Sequence, residues 1–530
     1  MTSSSDLFLL IKSLTPQEKR WFKIAACKNL KEGKIDYTRL FSIIEKQPIY
    51  DEEKIKQLLK REKFIKHLPV VKNRLFHLIL NITNEHEPNS TSEKVLQKEL
   101  QKADLLYQKG LYAQSKKILE KNKKSALHLE QYNIVFEILT SEIRMVSSIA
   151  YSDIKKRELR ALFKEGKDAL IKMENFYAYK NLEVQILYFQ RYSDKIRAKG
   201  MSKEHNSIFK NSLLDNEKKA LTTRSKIVFN TIHGAYNHFI YNYPKAYRHI
   251  KRNIEMLESN SQLIEENPNV YSSVLYNFIT SCISIQKFED GLRAIKKLRT
   301  ISDYYKIKPS LKLLQRQHLL SYIPEIRIYA VSGQFEKIKA IVENIEDGIK
   351  KYGGKADIDH EKILYYNIAY LYFGIKEYRN SLKWLSKLSD AVYFDVRDDL
   401  NTYAKLMTAV IYIELNDIQA LTYLIESTHR SLNKKDKLYM VEAAFFQLAK
   451  KIPQMQTRKD LINLYMITKN NIQRIVDDPI QKNGFAYFDF SLWLKSKIES
   501  RVFAEVVREN YQNRWSGKQK LPDQRNGSFS

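Results

Sequence analysis

The chain has 530 residues, 43% of them hydrophobic, which is enough to bury a sizeable core and too many for intrinsic disorder. Glycine (14) and proline (11) are too scarce for the many tight turns of an all-β fold, so long helices with short connections are expected. Lys and Arg exceed Asp and Glu by 90 to 61, a net charge of +29 that favours acidic partners such as nucleic acid, acidic protein segments or an anionic membrane surface.

The first residues, MTSSSDLFLLIKSL, carry Asp6 where a secretory signal needs positive charge, and their apolar run stops at Lys12. No apolar stretch reaches 18 residues, and the two cysteines, Cys27 and Cys282, follow neither a pairing nor a metal-binding pattern. A cytoplasmic protein that does not insert into membranes is the expectation.

Residues 1–85 read as a first, basic helical unit. Thr15-Pro16-Gln17-Glu18 is a capping box with proline at the first helical position, and Asp36 and Asp51 look like further N-caps. KFIKHLPVVKNRLFHLILNI (63–82) follows as an amphipathic helix reset at Pro69. Within it and just before it, Lys54, Lys56, Lys60, Arg61, Lys63, Lys66, Lys72 and Arg74 stand against one acid, Glu62. A solvated helix face accounts for such a tract; a surface facing phosphates is the alternative.

EHEPNSTSE (85–93) is polar and aperiodic and reads as a linker. From 94 to 480 one spelling recurs: a helical run, a turn closing on an aromatic or Ile, then a small or aliphatic residue three later. The turn residues are Tyr112, Tyr243, Phe288, Phe335, Tyr378 and Ile418, separated by 131, 45, 47, 43 and 40 positions. Periods of about 20–50 residues mark stacked helical hairpins that bury their apolar faces only against their neighbours. Between 120 and 230 the spelling fades while helical periodicity continues, so degenerate repeats are expected there. Asp477-Asp478-Pro479 and Asn483-Gly484 set off a final helix pair, 481–512, expected to cap the open end of the stack; 513–530 reads as a disordered tail.

The stretch YYNIAYLYFGIKEYRNSLKWLSKL (365–388) resembles a tetratricopeptide repeat. Tyr365 stands at the large first-helix position, Ile368-Ala369 at the aliphatic–small pair, Tyr372 at the mid-helix aromatic, Tyr378 at the turn aromatic, Ser381 at the small second-helix residue and Leu385 at the next large one. The resemblance spans roughly 95–430 in this sequence with a longer period than the family's about 34 residues. It implies an all-α fold, a right-handed α-solenoid of tetratricopeptide-like hairpins behind the N-terminal helical unit. It also implies that first helices line a concave surface, placing Tyr276, Arg327, Tyr366, Tyr370, Phe373 and Tyr403 on a partner-binding face. Where chaperone-binding members carry an Asn that grips a terminal carboxylate, this chain has Ala235, Thr280, Arg327, Tyr370 and Val410. An apolar peptide or amphipathic helix is the more natural cargo.

Chemistry-bearing motifs are absent. GIKKYGGKA (348–356) has the wrong spacing for a phosphate-binding loop and no hydroxyl at Ala356, and the acids of DIDHE (357–361) suit a helix start. No catalytic residue, metal site or cofactor is nominated, and the sequence points to a non-enzymatic scaffold or adaptor for protein partners. The alternative is a nucleic-acid-associated transcriptional regulator using the basic N-terminal unit, a layout resembling bacterial regulators that join a DNA-binding module to tetratricopeptide repeats.

Overall fold

The computed structural model describes residues 5–28, 37–86, 92–148, 155–196, 208–352, 358–389, 398–433, 440–476 and 488–515. Every regular element among them is helical, without a strand, so the chain is all-α. It divides into two units, 1–90 and 91–530.

In the first unit, helices Asp6–Ser13, Pro16–Lys28, Tyr37–Lys46, Glu52–Leu58 and Leu68–His86 enclose Leu7, Phe22, Phe41, Ile44, Ile55 and Leu75. The capping box forms as read: Thr15 N donates to Glu18 Oε2 at 2.7 Å while Glu18 N donates to Thr15 Oγ1 at 3.3 Å. Asp51 caps its helix by accepting from Lys54 N at 3.0 Å; Asp36 lies outside the described residues. Lys63–His67 is a 3₁₀ turn, and a new helix starts at Leu68 with Pro69 in its first turn, where the missing N–H costs nothing.

The second unit is a succession of helices in which packed pairs are mostly near neighbours in the chain. All six predicted turn residues are the first residue of a second helix. Each is preceded, two positions earlier, by a residue in the left-handed region: Gly110, Tyr241, Gln286, Gly333, Lys376 and Asn416, with φ from +55° to +74°. The next N–H then reaches back five residues to the first helix, as in Lys287 N to Cys282 O and Glu377 N to Tyr372 O, all six bonds falling within 2.8–3.0 Å. This cap satisfies carbonyls that a helix end leaves open and fixes the hairpin angle.

In each hairpin the residue nine before the turn residue and the one three after it are both buried. These pairs are Ala103/Ser115, Gly234/Ala246, Ile279/Gly291, Ile326/Ile338, Ala369/Ser381 and Ala409/Leu421. Five of the six pairs hold at least one small residue, which lets the backbones approach. Ser115 Oγ donates to Ala103 O at 2.8 Å and Ser381 Oγ to Ala369 O at 2.7 Å, the same bond in two distant hairpins. At Gly234 a Cβ would lie 2.4 Å from Ile250 Cδ1, so an added methyl must push the Ile250 side chain aside.

Two features differ from expectation. Degenerate hairpins do not fill 120–230: after Tyr112–His128 and Tyr132–Ser148 comes one helix of 41 residues, Lys156–Ile196. This stretch holds no proline and only Gly166, so nothing in it favours a turn. The tail begins later than expected, because Phe503–Trp515 is helical; 516–530, like the 353–357 and 477–487 punctuation, lies outside the described residues. Among the described residues no helix is long and apolar enough to cross a membrane.

Candidate functional site

The face proposed for a partner lies mainly on helices Leu311–Val331, Ile358–Gly374 and Asp398–Leu415. Burial separates its members. Arg327 is exposed and Tyr276 is half-buried with its ring edge-on to His360 at 5.8 Å, whereas Tyr366, Phe373 and Tyr403 are 1–2% exposed. Those three are therefore core residues in this conformation, which corrects their reading as open contact positions: the apolar pattern at these points reflects burial. Tyr370 is half-buried, and desolvation pushes its phenol well above the usual range.

What packs over Tyr370 and Phe373 is the end of the chain itself. Asp489 caps helix Phe490–Ile498 by accepting from Leu492 N at 3.1 Å, and a turn at Ser500 (φ +53°) leads into helix Phe503–Trp515. This C-terminal hairpin packs on helix Arg458–Val476, as an end cap would, but it also runs back to helix Leu311–Val331 and the turn after it. Phe488 and Phe503 meet Phe335, Tyr370 and Phe373 in one aromatic cluster, with centroid separations of 5.4–5.7 Å from Phe373 and Phe335 to their partners in it. Such ring pairs are each worth about 0.5–1.5 kcal/mol beyond area burial. Further along, Tyr511 packs on Phe288 at 5.5 Å, and Arg508 Nη2 donates to Gly333 O at 3.1 Å.

Glu414 anchors the hairpin's other side. Its carboxylate accepts from Trp493 Nε1 at 2.7 Å and from Tyr378 Oη at 3.2 Å and pairs with Lys497 at 3.1 Å. One carboxylate thus ties a repeat turn aromatic to a fully buried tryptophan of the terminal helix. The aromatic density of FAYFDFSLW was visible in the sequence, but nothing local told which surface it would cover, and Glu414 carried no mark at all.

The basic tract of the first unit is partly consumed internally. Lys72 is buried, donating to Tyr50 Oη at 2.9 Å and pairing with Glu52 at 2.5 Å, and these partners hold its ammonium above the usual lysine range against desolvation. Lys56 pairs with Glu53 at 2.8 Å and Glu52 at 3.5 Å. Lys54, Lys60, Arg61, Lys66 and Arg74 are exposed; the Lys63 side chain lies outside the described residues. A phosphate-facing surface would have to be built from those five.

His233 and His238, five positions apart on helix Thr223–Phe239, have different ring neighbours. His233 stacks on His249 at 5.0 Å, and His238 lies edge-on to Tyr243 at 5.2 Å. Among the described residues no group of three or more His, Cys, Asp or Glu could hold a metal ion. Cys282 is buried in the hairpin core, where desolvation pushes its thiol up to about 12. Compared with protein-family models, with curated proteins and with solved structures, the chain finds no match in any of the three.

Proposed function

We propose that this chain is a non-enzymatic, cytoplasmic interaction scaffold, its hairpins forming a right-handed α-solenoid of tetratricopeptide-like units that take up an apolar helix of a protein partner. One observation carries the reading: the surface of Phe288, Phe335, Tyr370 and Phe373 already holds a helix pair, the chain's own residues 488–515. A row of aromatic side chains that accepts one amphipathic helix has the chemistry to accept another, with side chains at helical spacing as anchors. The recurring buried pairs and left-handed caps support the repeat assignment, since they return at the same offsets in all six hairpins. On this reading a partner helix exchanges with the C-terminal hairpin.

The test uses a chain ending at 487 and a labelled peptide of residues 488–515. The peptide should bind the shortened chain, provided circular dichroism shows it folded, and should not bind the full chain. Partner proteins captured by the shortened chain should be displaced by the same peptide and should resist nuclease. A folded short chain that ignores the peptide sinks the proposal, and nuclease-sensitive capture would transfer it to the basic N-terminal unit.

A further inference from the structure

A cavity of about 370 Å³ lies where the C-terminal hairpin meets the repeats, a size within the roughly 300–1,000 Å³ of small-molecule sites. Its polar wall is cationic. Lys376 comes from a left-handed hairpin cap, Arg458 from the first residue of a helix, and Lys497 and Arg501 from either side of the Ser500 turn. Against these four cations the lining contains one acid, Glu414. The compensation is uneven: Lys497 pairs with Glu414, and Arg501 with Glu499 and Glu509, while Arg458 has only Ser500 Oγ at 3.0 Å and Lys376 no ion pair among the described residues. Two guanidinium or ammonium groups therefore border the same space with their charge unspent. The same lining includes the aromatic and apolar side chains of Phe373, Tyr465, Phe503 and Leu461.

We infer that this cavity binds a small organic phosphate carried on a flat ring, the phosphate between Arg458 and Lys376 and the ring against Tyr465 and Phe503. Four cations and one acid favour a multiply charged anion over a single carboxylate, and an Arg–Lys pair supplies both a planar fork and a mobile point charge. The ring adds what the charges lack, a desolvated contact along the aromatic wall. Because the wall joins Phe373 and Arg458 on the repeat side to Ser496, Lys497 and Phe503 on the hairpin side, a bound ligand bridges the two. The site makes no use of the partner-binding reading, and the two stand or fall separately.

Calorimetric titration of the full chain tests it, with AMP and phosphotyrosine as probes carrying both features, pyrophosphate with charge alone and adenosine with a ring alone. At least one of the first pair should bind about tenfold or more tighter than either single-feature probe. Arg458→Gln combined with Lys376→Gln should weaken that binding by about tenfold or more, with helical content and melting temperature checked beside it. Affinity unchanged in the double variant overturns the assignment, and so does heat with none of the probes at millimolar concentration. Equal binding of pyrophosphate and the ring-bearing probes overturns the aromatic half. Should the double variant lose its fold, Arg458→Gln alone replaces it under the same criterion, because this side chain is exposed and, among the described residues, bonds Ser500 alone.

Discussion

Gly333 and Gly110 form a natural control pair. Both occupy the left-handed cap of a hairpin, at φ +70° and +74°, but an added Cβ at Gly110 would meet nothing within 4 Å, while at Gly333 it would lie 2.8 Å from Arg508 N and 3.0 Å from Arg508 Cα. Gly110→Ala should therefore cost only the left-handed strain, about 1 kcal/mol after the entropy lost by glycine is set against it. Gly333→Ala meets backbone that cannot rotate aside, so helix Phe503–Trp515 has to retreat. A gap of about 0.5–1 Å forfeits roughly a quarter to a half of each contact. Phe503 has ring partners in Phe335, Tyr370, Phe373 and Phe488. At about 0.5–1.5 kcal/mol for each ring pair, that retreat adds roughly 1–2 kcal/mol, for a total near 2–3 kcal/mol. Amide hydrogen exchange resolves the two: 503–515 should lose protection in Gly333→Ala and keep it in Gly110→Ala, with urea midpoints ordered the same way. Equal loss in both variants, with exchange of 503–515 unchanged, would refute the claim that the terminal helix is held against this turn.

Three further outcomes follow from the same geometry. Gln286→Gly should raise stability by about 0.5–1 kcal/mol, read from the urea midpoint, because Gln286 holds φ +62° with a Cβ present. Tyr370→Glu should cost about 3 kcal/mol or more by placing an unpaired charge among buried rings, visible as loss of cooperative melting; a folded, stable variant would return this residue to the surface. Acidification should weaken the His233–His249 region: burial depresses both imidazoles, His249 to about 4, beside Asn230, Glu217, Arg248 and Arg252. With folded values below the unfolded one, the unfolded chain binds more protons, so stability is full above about pH 6.5 and falls toward pH 4. The loss is on the order of 1–2 kcal/mol once screening of these partly exposed rings is allowed for, and His249→Asn should flatten the pH dependence of the urea midpoint.

The hairpins were legible because their determinants are local. The aromatic or Ile after each turn, the small residue three later and the capping boxes all report contacts within a dozen or so residues, and every one of the six turns formed where it was read. The left-handed cap was not legible, since only Gly110 and Gly333 announce it and the other four positions hold Tyr, Gln, Lys and Asn. The partner face was legible only as apolar pattern. Such a pattern states that Tyr370 and Phe373 turn from water, but not which surface covers them. The cover came from residues more than a hundred positions away, through Arg508 at Gly333 and Phe503 at Phe373, and no periodicity records a contact of that separation. Lys72 misled for a related reason: its charge counted toward a basic tract, while its acid, Glu52, stood outside the counted window.

That return of residues 488–515 onto 333–378 also sets an order for biosynthesis. A stack of neighbouring hairpins can consolidate behind the ribosome as each unit emerges. Here the aromatic cluster at Phe335, Tyr370 and Phe373 waits for residues 488–515, leaving an oily seam uncovered while the intervening helices are made. The nascent chain is thus most prone to cling to other surfaces just before residues 488–515 emerge, and their arrival closes that interval.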